Sequence, residues 1–334
     1  MKRLLHRIWV SGPFRTLLYA LYVGLSVVVL LEVAYRYQWV DFYRTEWNLL
    51  NGAVPRESLG NRTWLIAGDS FTADPESYVR HVRDSLGAGV RVFNAAVPGT
   101  GPRQARCFLP DRIRETRPEV LVYQLYVGND LLDARHPSGG QGLGLGRRIY
   151  WWLSDRFQWL GWLNYKAARW RAAPVTGARA GDGDFSPERY NAREKMIIQA
   201  EPTLLAESAG VIGQRGLEMG ALAAQVAEIL DALPEGARSV VLVVPHAAQV
   251  SLRYRQQMEA LGAVFPDGEK SLAQGNPFAR YLEKTLAPRG TRVIDALPVL
   301  RGAEQRGIPC YFANDPHLTP QGQAVLATCL RDVR

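Results

Sequence analysis

Five short apolar runs limit what this chain can fold into. They fall at residues 63–67, 90–94, 120–127, 239–245 and 291–295, each bounded by Gly, Pro, Asn or Asp, with helical patterns between them. Runs this short and this apolar fit strands covered on both faces. Their alternation with helices predicts an α/β fold on a doubly wound parallel sheet. At 334 residues the chain can bury such a sheet without disulfide or metal staples. Helix signals agree with the alternation. Asp74-Pro75-Glu76 supplies a cap, a first-turn proline and an acid, and Gly87 can close that helix. Residues 217–233 carry Ala and Leu at helical spacing, and Thr319-Pro320 opens a last helix running toward Cys329 and Leu330, with Val325 and Leu326 on its apolar stripe.

Residues 128–238, between the third and fourth runs, are too many for one crossover, so an insertion is expected at about 135–215. Its first part holds Trp151, Trp152, Trp159, Trp162 and Trp170 among Arg156, Lys166, Arg169 and Arg171. Three readings stay open for it: an amphipathic helical cap packed on the domain, a surface lying on a membrane interface, or an aromatic platform for sugar rings. The Gly- and Ala-rich stretch at 173–184 is expected to be a flexible loop.

From Thr16 to Leu31 no residue is charged, and with the residues up to Tyr35 the run gives about 30 Å of helix, enough to span a bilayer. Glu32 is expected to reach the headgroups, and Tyr35, Tyr37 and Trp39 to form an interfacial aromatic belt. Lys2, Arg3, Arg7 and Arg15 precede the span, which by the positive-inside rule places the amino terminus in the cytoplasm and the rest outside it. No small-x-small cleavage site follows the run, which meets Glu32-Val-Ala-Tyr-Arg36, so an uncleaved anchor is favoured over a signal peptide. The expected organisation is residues 1–15 cytoplasmic, 16–36 spanning, 37–61 a juxtamembrane connector and 62–334 the folded domain.

The net charge is +8, but Arg and Lys are scattered and no nucleic-acid-binding pattern appears, so no nucleic-acid partner is expected. Anionic lipid headgroups or acidic glycans suit this charge better. Cys107, Cys310 and Cys329 have no C-x-x-C spacing, so neither a zinc site nor a redox pair is indicated, and neither a metal nor a cofactor is expected. Cys310 and Cys329 can pair in an oxidising compartment or remain buried thiols.

The first apolar run ends in Gly68-Asp69-Ser70, which puts a serine hydroxyl at the carboxyl end of a strand, the edge where open α/β sheets bind ligands. A serine nucleophile needs a base, an orienting acid and oxyanion donors. Of the five histidines, His6 precedes the span, His81 falls in a predicted helix and His136 in a Pro- and Gly-rich loop, while His246 follows the fourth run and is a candidate substrate contact. His317, in Asn314-Asp-Pro-His-Leu-Thr319, is the best base. Pro316 biases Asp315 to an extended conformation, where residues i and i+2 project to the same side, so Asp315 can fix the His317 tautomer. Gly99, in Asn94-Ala-Ala-Val-Pro-Gly-Thr-Gly101 after the second run, can offer an N–H to an oxyanion, and Asn129, in Gly128-Asn129-Asp130 after the third, can add its amide.

With these blocks in order, the chain resembles the SGNH or GDSL hydrolases. Gly68-Asp69-Ser70-Phe71 is similar to the first block, Gly99 to the second, Gly128-Asn129-Asp130 to the third and Asp315 with His317 to the last, over about residues 62–330 apart from the insertion. The resemblance implies a three-layer, flavodoxin-like sandwich. It also implies Ser70 as nucleophile, His317 as base and Asp315 as its partner, with the Ser70 and Gly99 N–H groups and Asn129 as oxyanion hole. Phe71 stands where the eponymous motif has leucine and is expected to pack inward. Many members carry Asp-x-x-His; here the acid is two residues before the histidine and Asn314 holds the three-before position. That spacing is similar to the alginate O-acetyltransferase-like branch, which works on exported polysaccharides. Were Asp315 to point away, Asn314 would orient His317.

The expectation is a membrane-anchored serine acyl-ester hydrolase or O-acyltransferase working through an acyl-enzyme, on acetyl groups of exported or cell-surface glycans. A lipase or lysophospholipase-like esterase on membrane lipids, and a non-catalytic glycan-binding scaffold, are the alternatives.

Overall fold

The computed structural model describes residues 12–52, 62–137, 143–171, 183–268, 270 and 275–333. Lys2, Arg3, His6 and Arg7, the Pro55 and Gly60 part of the connector, and most of the Gly- and Ala-rich stretch at 173–184 lie outside the described residues. Five strands, β1 (Arg62–Ala67), β2 (Val90–Asn94), β3 (Val120–Tyr126), β4 (Arg238–Val244) and β5 (Arg292–Asp295), form one sheet in the order β2-β1-β3-β4-β5. Every pairing is parallel, with Ile66 opposite Asn94, Ala67 opposite Tyr123, Tyr126 opposite Val244 and Val243 opposite Asp295. This is the doubly wound, flavodoxin-like order. Its switch point, the crevice where ligands bind, lies at the carboxyl ends of β1 and β3.

Helices cover both faces. They are α1 (Gly12–Arg36), α2 (Arg44–Asn51), α3 (Tyr78–Leu86), α4 (Pro102–Thr116), α5 (Asp130–Ala134), α6 (Leu145–Ser154), α7 (Trp159–Arg171), α8 (Ala192–Ala200), α9 (Leu204–Gly210), α10 (Gly213–Leu230), α11 (Ala247–Val250), α12 (Leu252–Ala260), α13 (Pro277–Leu286), α14 (Leu297–Gln305) and α15 (Pro320–Thr328). Leu65, Leu121, Leu125, Val241 and Val243 pack against α4, α10 and α13 on one face. Trp64, Ile66, Val122, Leu242 and Val244 pack against α3, α14 and α15 on the other. Each such fully buried aliphatic side chain contributes about 1.5–3 kcal/mol, so the sheet is the stable platform for whatever its edge carries.

Several local expectations shift. The helix after β1 starts at Tyr78 rather than near Asp74, because Asp74 Oδ1 accepts the Glu76 N–H at 2.8 Å and closes a turn instead. Gly87 ends that helix at φ +63°. Thr319 caps the last helix, its Oγ1 accepting the Gly322 N–H at 3.0 Å. All three cysteines are free thiols, so the Cys310–Cys329 bridge does not form.

At the amino end, α1 contains a 23-residue stretch, Phe14–Arg36, long and apolar enough to cross a membrane and almost wholly exposed. Its last turn differs from expectation. Tyr35 is buried, with its Oη 2.7 Å from Tyr43 Oη, so it belongs to the core and not to an aromatic belt; Tyr37 and Trp39 are exposed. Glu32 is buried too, paired at 2.6 Å with Arg36 Nε. The following stretch is more than a tether. Tyr43, Trp47 and Leu50 are buried, the Arg112 guanidinium lies 4.6 Å over the Trp47 ring, and Asn51 bonds both the N–H and the C=O of Asn94 at 2.8 Å, closing the β2 edge.

Candidate active site

The β1 end shapes the serine turn. A Cβ on Gly68 would collide with Gln124 Oε1, so only glycine lets the chain pass this buried amide. Gln124 Oε1 accepts the Asp69 N–H at 3.2 Å and the Thr72 hydroxyl at 2.9 Å, and Asp69 Oδ1 accepts the Phe71 N–H at 2.9 Å. Gln323 of α15 holds the turn from outside, donating to Phe71 O at 3.3 Å and accepting the Tyr78 N–H at 2.9 Å. Ser70 is left half-buried at the tip.

The candidate base, His317, arrives from the other end of the chain. Tyr311 and Leu318 form an antiparallel bridge and the Phe312 N–H donates to His317 O at 3.1 Å, so residues 312–317 make a tight loop just before α15. Tyr311 Oη donates to Pro245 O at 2.6 Å, pinning that loop to the β4 end. His317 Nε2 lies 2.8 Å from Ser70 Oγ, and its Nδ1 bonds Asp315 Oδ1, which also accepts the His317 N–H at 3.0 Å. The extended Asp-Pro-His geometry thus brings acid, base and hydroxyl together, 247 residues apart in sequence. Asn314 faces elsewhere: its Oδ1 accepts the Ser186 N–H at 2.8 Å and its Nδ2 donates to Asp184 O at 2.9 Å.

Electrostatics follow the geometry. Burial alone would lower the His317 pKa, but the Asp315 hydrogen bond and charge, with Asp69 and Glu194 adding, raise it above the ordinary value. Asp315 is correspondingly held below the usual carboxylate range, its burial outweighed by His317 and by Asn191. Behind them sits a cluster of buried acids. Burial raises Asp69 and, together with Asp69 and Asp133, raises Asp130 well above normal; Asp133 is pushed to about 6, mainly by burial.

The expected oxyanion donors occupy the neighbouring strand ends. Gly99 lies at φ +70° in the loop before α4, a conformation that favours glycine. Among the described residues no acceptor meets the Ser70 or Gly99 N–H. Asn129 Nδ2 donates to Asp69 Oδ2 at 3.3 Å, which ties the third block to the serine turn and leaves its second amide hydrogen available. Phe71 packs inward between two rings, 4.1 Å from Tyr126 and 4.9 Å from His317 by centroid. His246 is buried, its Nδ1 accepting the Ala248 N–H at 3.0 Å, and burial pushes its pKa down to about 3, so it stays neutral. His81 is exposed on α3, and His136 pairs with Asp155 at 2.7 Å within the insertion; neither joins the site. Among the described residues no group of three or more His, Cys, Asp or Glu is placed to hold a metal ion.

Two contributors escape a sequence reading. Asn191, at the start of α8 in the insertion, donates from Nδ2 to Asp315 Oδ2 at 3.0 Å, while its Oδ1 caps the helix by accepting the Arg193 and Glu194 N–H groups at 3.2 Å. Its backbone N–H donates to Asn314 O at 3.0 Å, so the insertion is sewn to the acid–base loop. Glu194, buried on the same helix, is raised by burial to about 7 and feels the charges of His317 and Asp315. The only sequence signal was the helix-cap potential of Asn191, which says nothing about its partner 124 residues on.

No family model matches the chain, and no curated protein matches it. Among solved structures it is similar to a catalytic mutant of Axe2, an acetylxylan esterase from Geobacillus stearothermophilus, at 13% identity over 83% of this chain and 96% of that one, with a TM-score of 0.42. It is similar also to TesA, at 16% identity over 80% of this chain and 96% of that one, TM-score 0.39. LAE5, an alpha/beta hydrolase enzyme from the metagenome of Lake Arreo, Spain, matches at 12% identity over 81% and 94%, TM-score 0.38.

Proposed function

We propose that this chain is a serine acyl-ester hydrolase or O-acyltransferase of the SGNH type, with Ser70 as nucleophile, His317 as base and Asp315 as the acid that orients it. The observation that carries the reading is the unbroken relay of Ser70 Oγ, 2.8 Å from His317 Nε2, whose Nδ1 faces Asp315. His317 takes the serine proton as Oγ attacks the ester carbonyl, and Asp315 stabilises the imidazolium. The N–H groups of Ser70 and Gly99 and the Asn129 amide receive the developing oxyanion. His317 then protonates the leaving alcohol, leaving an acyl-Ser70 that a water or a sugar hydroxyl resolves, with His317 again as base.

The remaining parts of the reading are placement and substrate. Helix α1 anchors the chain, with the amino terminus in the cytoplasm and the catalytic domain outside, and the substrates are acetyl groups of exported or cell-surface glycans. The Asp-x-His spacing and the length of the exposed apolar helix support this. Turnover of an activated acetyl ester by wild type and Ser70→Ala tests the chemistry: loss of about 10⁴-fold or more is expected, and unchanged turnover in the variant rejects it.

A further inference from the structure

Helix α6 has a face that the fold does not use. Residues 143–154 contain no Asp or Glu. Leu145, Ile149 and Trp152, spaced i, i+4 and i+7 and so on one face, are 73%, 50% and 55% exposed. Arg148 is exposed beside them, and the Arg156 guanidinium stands 3.9 Å over the Trp152 ring, while Arg147 turns to the other side over Tyr150 and Trp151. The opposite face is settled: Trp151 is buried against Leu132, Ile197 and Leu204 and stacks 5.4 Å from His136. Singly exposed apolar residues are ordinary on soluble proteins. A one-sided apolar stripe with arginines and no acid is the pattern of a helix lying in a bilayer interface.

Position selects the occupant. The start of α7 abuts the end of α1, the Trp159 N–H donating to Glu32 Oε2 at 3.4 Å, and the end of α6 is tied to α4 beside it, Arg103 donating to Ser154 O at 3.0 Å and Asp155 O at 2.6 Å. Glu32 is where the uncharged run of α1 ends, so the start of α7 stands level with the edge of the apolar span and α6 ends five residues before it. Trp162 Nε1 donates to Phe42 O at 3.1 Å, and Lys166 reaches Glu46 at 2.6 Å, fixing α7 to the residues just beyond α1. Charge points the same way, because the one acid beside these arginines, Asp155, is paired with His136 at 2.7 Å, and the remaining positive face suits anionic headgroups.

We infer that α6 lies in the headgroup region of the membrane that α1 crosses, with Leu145, Ile149 and Trp152 inserted and Arg148 and Arg156 on anionic lipid phosphates. The inference rests on the anchor reading of α1. Through Trp151 on Leu132, the inserted helix is packed directly on α5, the helix that follows Asn129, so the oxyanion block sits one layer from the lipid surface.

The test uses the full chain in nanodiscs of phosphatidylcholine with phosphatidylglycerol, with ordinary or brominated acyl chains. The wild-type fluorescence minus that of Trp152→Phe isolates one indole, and Trp151→Phe isolates its buried neighbour. The Trp152 component is expected to lose most of its intensity to brominated lipid and to resist aqueous iodide, with the Trp151 component unchanged. Ile149→Ser with Arg148→Glu should restore iodide access to Trp152. A Trp152 component that iodide quenches and brominated lipid does not, or one that soluble oligosaccharide alone shields, overturns the inference while leaving the anchor intact. Failure of the chain to co-elute with nanodiscs overturns the anchor and the inference together.

Discussion

The two ends of the one sheet are built on opposite principles. At its amino end, Arg62 and Arg238 flank Glu119 at 2.9 and 3.1 Å, all three well exposed to solvent. Such pairs are worth about 0–1 kcal/mol and can be exchanged freely. At its carboxyl end, Asp69, Asp130 and Asp133 are buried; burial raises the pKa of each, and the Asp69 charge raises Asp130 and Asp133 further, a standing cost to stability. A fold keeps such a cluster where chemistry needs it, and here it backs the Ser70 turn and the Asn129 amide. The amino end is built from interchangeable surface pairs that cost little, and the carboxyl end bears the cost beside the candidate site.

The contrast can be broken most sharply at the acid. Asp315→Asn is expected to cut kcat/KM of ester hydrolysis by about 10³–10⁴-fold, because His317 loses both its tautomer and its imidazolium partner. The wild-type profile should rise with pH through a pKa above the ordinary histidine value, since only neutral His317 accepts the serine proton and Asp315 raises its pKa. In the variant that limb moves to lower pH, and an unmoved limb would assign it to another group. Asn129→Ala should cost about 10²–10³-fold in kcat with KM little changed, as expected of a donor used only in the transition state.

Asn191→Ser reaches the carboxyl end from the insertion side. Serine still caps α8 but is too short to reach Asp315, so kcat is expected to fall about 10-fold at unchanged melting temperature. A loss of stability with no change in the pH profile would make Asn191 a helix cap alone. The smallest effects separate the two sheet ends by stability. Asp133 has a folded pKa of about 6, raised above its unfolded value, so the cluster's cost appears as pH rises from about 4 to 6 and persists above that window. Asp133→Asn should therefore raise stability at pH 8 relative to pH 4, by roughly 1–3 kcal/mol. Glu119→Gln at the other end should change it by less than about 1 kcal/mol at either pH. Chemical denaturation at both pH values reads both.

What the sequence made legible was whatever depends on neighbours in the chain. The five runs announced the sheet because a strand covered on both faces must be apolar throughout. Pro316 announced the Asp315 and His317 geometry because it acts on the residue beside it. Features that depend on distant partners were hidden. Tyr35 looked like an interfacial ring because nothing local shows Tyr43 waiting for its hydroxyl, and Asp74 looked like a helix cap until its carboxylate closed a turn three residues short. Asn191 and its bond to Asp315 exist only because the insertion folds back over the acid–base loop.

If Ser70 is an activated nucleophile, it is open to covalent capture. Wild-type chain treated with a fluorophosphonate and digested should show the phosphonyl mass on the peptide that holds Ser70, with labelling lost in Ser70→Ala and slowed in His317→Gln. A folded wild-type chain that takes no label, or takes it on any residue other than Ser70, contradicts the account.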